Sequence, residues 1–211
     1  APASMEMSED AKASFYNISN YLTAEATALD EDPDAGEVTT GASNGLKLKD
    51  MVGLEKDDPQ WDTFMDQLSL DDMNALISLG GYQTNSVDSV GKVRTNDCDG
   101  PASINNNFTG VGSIGFPVGV VVAGTWNKDL AYAFGDSIGK MANEMDVSGW
   151  YAPAMNNHRT AFAGRNFEYY SEDGVLSGYI AAKAVQGSQE NGVYAYMKHF
   201  ALNDQEQNRC D

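Results

Sequence analysis

Gly149-Trp150-Tyr151-Ala152-Pro153-Ala154-Met155 runs directly into Asn156-Asn157-His158-Arg159. An apolar run of strand length, with a glycine before it and a polar cluster after it, reads as a buried strand with a chemically loaded C-terminal end. On its N-terminal side, Asn127 is placed to cap a helix reaching about Met145, with Leu130, Phe134, Ile138, Met141 and Met145 on one stripe. On its C-terminal side, the polar loop 156–171 leads to a helix started by Asp173, with Leu176, Ile180, Ala184 and Val185. Residues 193–200 read as the next strand. Residues 93–98 read as an earlier one, ending in Asp99-Gly100-Pro101, and the apolar, β-branched run 116–122 as a buried strand between them. Strands alternating with helices predict βαβ units and a parallel sheet. Four such strands are about the first half of a (β/α)8, TIM-like barrel, whose usual size is about 250 residues.

Further out, Trp61, Phe64, Met65 and Leu68 follow Pro59 at helical spacing, and Met73, Leu76 and Ile77 follow a Ser69/Asp72 capping box. Gly80 and Gly81 end that second stripe. Both stripes read as core-facing. Residues 1–45 show weak periodicity, the acidic run Asp30, Glu31, Asp32, Asp34 and a turn-rich end. They read as an acidic linker or tail with one short helix near Tyr16–Leu29, and residues 46–211 as the barrel part. The acidic run lacks the alternating ligands, central Gly and distal Glu of a calcium loop, so it is read as solvated.

The 211 residues carry 13 Lys+Arg against 31 Asp+Glu, a net charge of −18. That excludes a nucleic-acid or anionic-membrane surface, which needs clustered cations. No apolar run approaches the ~20 residues of a membrane span. Cys98 and Cys210 are the only cysteines, so a disulfide scaffold is excluded. The first residues lack the basic head and apolar stretch of a signal peptide. A cytoplasmic location is expected, or secretion if a leader lies upstream. Asn17-Ile18-Ser19 and Asn107-Phe108-Thr109 fit the glycosylation triplet, which carries weight only on a secretory route.

In parallel α/β sheets, ligands lie beyond the C-terminal ends of the strands. Three expected ends here are polar. The first offers Asp97 and Asp99; the next offers Asn156 to Arg159, then Arg165 and Glu168; the last offers Lys198, His199, Asn203, Asp204 and Glu206. Carboxylates accept from hydroxyls, whereas Lys, Arg and His donate to them. A mixed ring of both suits a neutral polyol such as a sugar. Gly110, Gly112 and Gly115 spell G-x-G-x-x-G, but they precede the expected strand, whereas a dinucleotide fingerprint follows one. His158 and His199 lack metal-site spacing. No cofactor and no metal are expected.

Three blocks carry a family resemblance. They are Asp99-Gly100-Pro101 followed by Thr125-Trp126-Asn127; Gly164-Arg165-Asn166-Phe167-Glu168-Tyr169-Tyr170-Ser171-Glu172-Asp173; and Lys198-His199-Phe200-Ala201-Leu202-Asn203-Asp204-Gln205-Glu206. In this order and spacing the chain resembles glycoside hydrolase family three, the β-glucosidases, from about Gly45 to Asp211. The resemblance implies a barrel followed or preceded by an α/β sandwich domain, and a β-glucoside or oligosaccharide as substrate. It implies that Asp99, Arg165, Lys198 and His199 hold the −1 sugar. Arg159, Glu168 and Glu206 are then expected behind them, orienting the cations through ion pairs. Trp126, Trp150 and Tyr151 are expected in the core, with a sugar-stacking platform as the alternative. The family's nucleophile is an Asp in an S-D-W-like block downstream of the Lys-His strand, and no such block occurs here. The continuation Ala-Leu-Asn-Asp after Lys198-His199-Phe200 departs from the K-H-F-P-G-H-G pattern of the N-acetylglucosaminidase branch. The chain is therefore expected to be a fragment that holds sugar, with no catalytic residue of its own. The acidic leader resembles members whose sandwich domain precedes the barrel. A carbohydrate-binding pseudoenzyme and a plain α/β interaction domain remain as alternatives.

Overall fold

The structure, a computed structural model, describes Glu9 and residues 40–106, 109–200 and 203–209. The chain divides into two units, residues 1–39 and 40–211. The helix expected near Tyr16–Leu29, the Asp30–Asp34 run and the Asn17 triplet lie outside the described residues, as do Asn107 and Phe108.

The second unit opens with a 3-10 turn, Leu48–Met51, and two helices, α1 (Gln60–Met65) and α2 (Leu70–Ser78). Pro59 stands at the N-cap of α1, where its missing N–H costs nothing. The capping box of α2 is present: the Ser69 N–H donates to Asp72 Oδ2 at 3.0 Å, and the Asp72 N–H donates to Ser69 Oγ at 3.1 Å. Phe64 and Leu68 are buried with Met51, Val87 and Val90. Met65 and Ile77, expected to face the core, are exposed, because each stripe is wider than the face its short helix buries.

β1 (Gln83–Thr84), β2 (Thr95–Asp99), β3 (Asn105–Asn106) and β4 (Val111–Gly112) precede α3 (Gly119–Gly124) and α4 (Lys128–Glu144). Then come β5 (Gly149–Tyr151), α5 (Gly174–Glu190) and β6 (Tyr194–Ala195). The sheet order is β4-β3-β2-β5-β6, with β1 also on β2. β2, β5 and β6 are parallel, whereas β1, β3 and β4 pair antiparallel. The two parallel crossovers run the same way, and their helices α4 and α5 pack on each other, so both lie on one face of the sheet. That is the winding of a barrel wall, opposed to a doubly wound sheet.

The expected strand at 116–122 is absent: residues 116–118 are irregular and the rest is helix. The helical part enters α3, and Val122 and Ala123 pack with Ala131, Tyr170, Ile180 and Ala181. A short apolar run is ambiguous between strand and helix, and here tertiary packing decides. Gly119 makes the packing possible, since a Cβ there would lie 2.2 Å from the Glu168 carbonyl oxygen. The strands at 149–155 and 193–200 are shorter than expected. Pro153 has no N–H for the ladder, and pairing resumes at Ala154↔Lys198.

Both long helices start where expected. Asn127 Oδ1 accepts from the N–H groups of Asp129 and Leu130, and Asp173 Oδ1 from those of Val175 and Leu176. Phe134, Ile138, Ala142, Ala184 and Trp150 share one core, in which Trp150 is fully buried. Leu130 and Trp126, by contrast, are exposed, Trp126 at 72%. Trp126 sits in the turn between α3 and α4 with φ 54°, which turns it out of the core expected for it. Among the described residues, no helix is long and apolar enough to cross a membrane.

α4 and α5 meet through small residues: a Cβ at Gly135 would lie 1.9 Å from the Ala184 carbonyl oxygen. Gly135→Ala is therefore expected to destabilise the chain by about 1–3 kcal/mol in urea unfolding. Gly178, in α5 with nothing within 4 Å of its would-be Cβ, gives the opposite sign: Gly178→Ala should stabilise by about 0.5–1 kcal/mol.

Candidate sugar-binding site

Alternation along β2 puts Asp97 and Asp99 on one face of the sheet. Gly100 follows at φ 117°, and a Cβ there would lie 2.4 Å from the Ser103 carbonyl oxygen. Only glycine fits that turn. It returns the Gly100 N–H to Asp99 Oδ1 at 2.8 Å and presents the Gly100 carbonyl to Trp150 Nε1 at 2.8 Å. The Asp-Gly pair is thus tied to the core.

Lys198, beyond β6, reaches across β5 and donates from Nζ to Asp99 Oδ1 at 2.6 Å. Glu168 Oε2 lies 4.0 Å from the same Nζ. Glu168 Oε1 accepts from Arg165 Nε, and Arg165 Nε lies 3.9 Å from Glu206 Oε1. Glu206 Oε2 in turn accepts from Arg209 at 2.8 Å. The signs alternate along the whole line, so each neighbour pair attracts. Lys198, Arg165 and Glu168 are largely shielded, while the Asp99 side chain keeps 42% exposure. A pyranose hydroxyl can therefore reach Asp99 directly.

Burial pushes the Asp99 carboxyl up. The Lys198 and Gly100 hydrogen bonds and the charges of Lys198 and Arg165 outweigh that and hold it below the usual carboxylate range. Burial, then the charges of Arg165 and Lys198, pushes His199 below the ordinary imidazole value, so it is neutral at pH 7. The His199 N–H donates to Asn156 Oδ1 at 2.6 Å, and its Nδ1 lies 2.9 Å from the Tyr169 hydroxyl.

The structure therefore brings Asp99, Arg165 and Lys198 into one charge network, with Glu168 and Glu206 paired to its cations, and sets His199 beside it on Asn156 and Tyr169. Arg159 does not join them. It pairs with Asp204, Nε to Oδ2 at 2.9 Å, and its side chain is 58% exposed. An arginine cannot form an ion pair with the cations it was expected to orient. Asn156, Met197, Lys198, His199 and Arg159 line a cavity of about 480 Å³ next to the network; Asp99 and Arg165 lie outside its wall.

One layer beneath Asp99, buried Asp97 accepts from the Tyr196 hydroxyl at 3.3 Å. Burial, then the charge of Asp97, pushes Tyr196 up to about 12, so it keeps its proton. Tyr169 and the Asp97–Tyr196 contact were not among the expected site residues. Their signal was faint: Tyr169 follows Glu168 in the quoted Arg165 block, and Tyr196 stands two residues before Lys198, on the same strand face. Among the described residues, no cluster of His, Cys, Asp and Glu could hold a metal ion.

The family profile "Glycosyl hydrolase family 3 N terminal domain" matches residues 104–207, taking in Arg165, Lys198 and His199 and beginning just after Asp99. Just under half of the chain thus matches a glycosyl hydrolase family 3 domain. The chain is 46% identical over 121 residues to Beta-glucosidase A of Butyrivibrio fibrisolvens, covering 57% of this chain and 15% of that protein. In structure it matches β-glucosidase 3B of Thermotoga neapolitana, solved in complex with alpha-D-glucose, at TM-score 0.61 and 35% identity, over 71% of this chain and 24% of that one. The β-glucosidase of Paenibacillus barengoltzii matches at TM-score 0.66 and 27% identity, over 80% of this chain and 19% of that one. The fold thus resembles part of a (β/α)8-like barrel of that family, with the sheet of the described residues unclosed. The chain spans 15–18% of the length of the curated relatives it matches.

Replacing Lys198 by Met should raise the Asp99 carboxyl from its depressed position, because burial is then opposed only by the Gly100 N–H and the Arg165 charge. A side-chain carbon NMR titration reads this directly. In the unmodified chain, a depressed carboxyl stabilises the fold above the ordinary carboxylate pKa, and that contribution fades as pH falls through the depressed value. In Lys198→Met that loss of stability on acidification should be smaller.

Proposed function

We propose that this chain is the sugar-holding part of a retaining, exo-acting β-glucosidase. Asp99 accepts from two hydroxyls of the −1 sugar, while Arg165, Lys198 and His199 donate to others. The single observation that carries this reading is the Lys198–Asp99 contact at 2.6 Å, which joins two strand ends separated by a third strand. Glu168 and Glu206 hold the cations in place. Hydrogen bonds to sugar hydroxyls that tighten as the ring flattens lower the barrier.

Turnover by retention needs a nucleophile and an acid about 5–5.5 Å apart, flanking the glycosidic bond. One carboxylate attacks the anomeric carbon while the acid protonates the leaving oxygen; water then releases the sugar. Asp99 and Glu168 are poor candidates, since both are committed to cations. In this proposal the nucleophile and the acid come from outside these 211 residues. The remaining barrel strands supply the first, and a sandwich domain placed before the barrel supplies the second.

The test is calorimetry and an assay on the same preparation. The purified chain should bind glucose, and Asp99→Asn should weaken binding about 10-fold or more, as expected for losing a charged hydrogen-bond partner. A nitrophenyl β-glucoside should be hydrolysed no faster than in buffer. Hydrolysis above the blank refutes the division of labour. Unchanged glucose affinity in Asp99→Asn, with a shifted unfolding midpoint, refutes the sugar site and leaves an ion pair of the fold.

A further inference from the structure

The Tyr169 side chain is buried, 1% exposed, and its hydroxyl stands between two partners. Asn203 Nδ2 donates to it at 2.6 Å, and His199 Nδ1 lies 2.9 Å away on the other side. The two rings meet edge to face, with centroids 5.9 Å apart at 83°. A phenol has one hydrogen. With an oxygen lone pair taken by the Asn203 amide, that hydrogen goes to His199 Nδ1, which must then be bare.

A neutral imidazole carries one N–H. Burial and the cations Arg165, Lys198 and Arg209 favour the neutral ring, and the carboxylates Glu168 and Glu206 oppose them without prevailing. Nδ1 being an acceptor, the proton sits on Nε2. Among the described residues, nothing in the protein accepts from Nε2, whereas the backbone N–H of His199 is held by Asn156 Oδ1.

We infer that Tyr169 is a positioning residue that locks His199 in the Nε2–H tautomer, so that the imidazole meets the sugar as a hydrogen-bond donor. The direction of that donation rests on the proposed sugar site; the tautomer does not. The rest of Tyr169 suits the task. His158 Nε2 lies 3.0 Å from its backbone carbonyl oxygen, and the Arg165 guanidinium lies 6.0 Å from the centre of its ring. One side chain thus sets the ring of His199 and backs the guanidinium of Arg165, two of the groups that donate.

Long-range proton–nitrogen NMR of the full, nitrogen-15-labelled chain tests this. His158 and His199 are the only histidines, so His158→Gln assigns the spectrum by removing one ring. Near neutral pH, His199 should show a protonated Nε2 and a bare Nδ1. Tyr169→Phe keeps the ring and removes the hydroxyl. It should turn the fixed tautomer into an averaged one and raise the His199 pKa, because a hydrogen bond to the neutral form is lost. A protonated Nδ1 in the unmodified chain overturns the inference. So does a Tyr169→Phe spectrum and titration identical to the original. If Tyr169→Phe fails to fold, the unmodified chain's spectrum still decides. Adding glucose separates the two readings. A correct tautomer whose Nε2–H signal ignores saturating glucose defeats the sugar site and leaves the lock standing. Glucose binding with the wrong tautomer does the reverse.

Discussion

The ion pair between Lys198 and Asp99 is the constraint on which the site depends. Their strands are separated by β5, about 10 Å between backbones. A lysine spans that distance only if the parallel register places both ends at one level. Trp150↔Ala195 and Cys98↔Trp150 set that register, and Ala154↔Lys198 continues it past Pro153. A one-residue slip would turn Lys198 to the helix side. The buried Trp150, bonded to Gly100, makes such a slip costly. Core and site are thus specified by the same contact.

From that pair the charges extend outward in alternation through Glu168, Arg165, Glu206 and Arg209. Removing one member of a shielded pair leaves an uncompensated charge, which costs more than the pair contributes when intact. The network is therefore a device for holding donors and acceptors in fixed places more than a source of stability. Fixed donors and acceptors are what recognition of a hydroxyl-rich ring requires, since reorganisation on binding is then small.

Local chemistry was legible before the structure. Asn127, Asp173 and Ser69 each cap the helix that follows, because a cap is decided within four residues. The strand end at Lys198 was legible because an apolar run that stops on charge is itself local, and that at Asp99 because Asp99-Gly100-Pro101 is a local break. Residues 116–122 were not, because the choice between strand and helix is made by distant partners such as Tyr170 and Ile180. Trp126 was misplaced for a related reason: its left-handed backbone in a turn overrides the tendency of tryptophan to bury. Tyr169 was only faintly marked by its place after Glu168, since only the fold brings position 169 against position 199. Arg159 looked equivalent to Arg165 in sequence, yet Asp204 holds it in a separate ion pair.

The central claim is that Asp99, Arg165, Lys198 and His199 serve one monosaccharide. It is tested most directly by titrating the labelled chain with glucose while following the side-chain NMR signals of all four residues together. The account predicts that the four signals shift along a single binding curve with one midpoint. Four unrelated curves, or movement at some positions with none at the others under saturation, would contradict it.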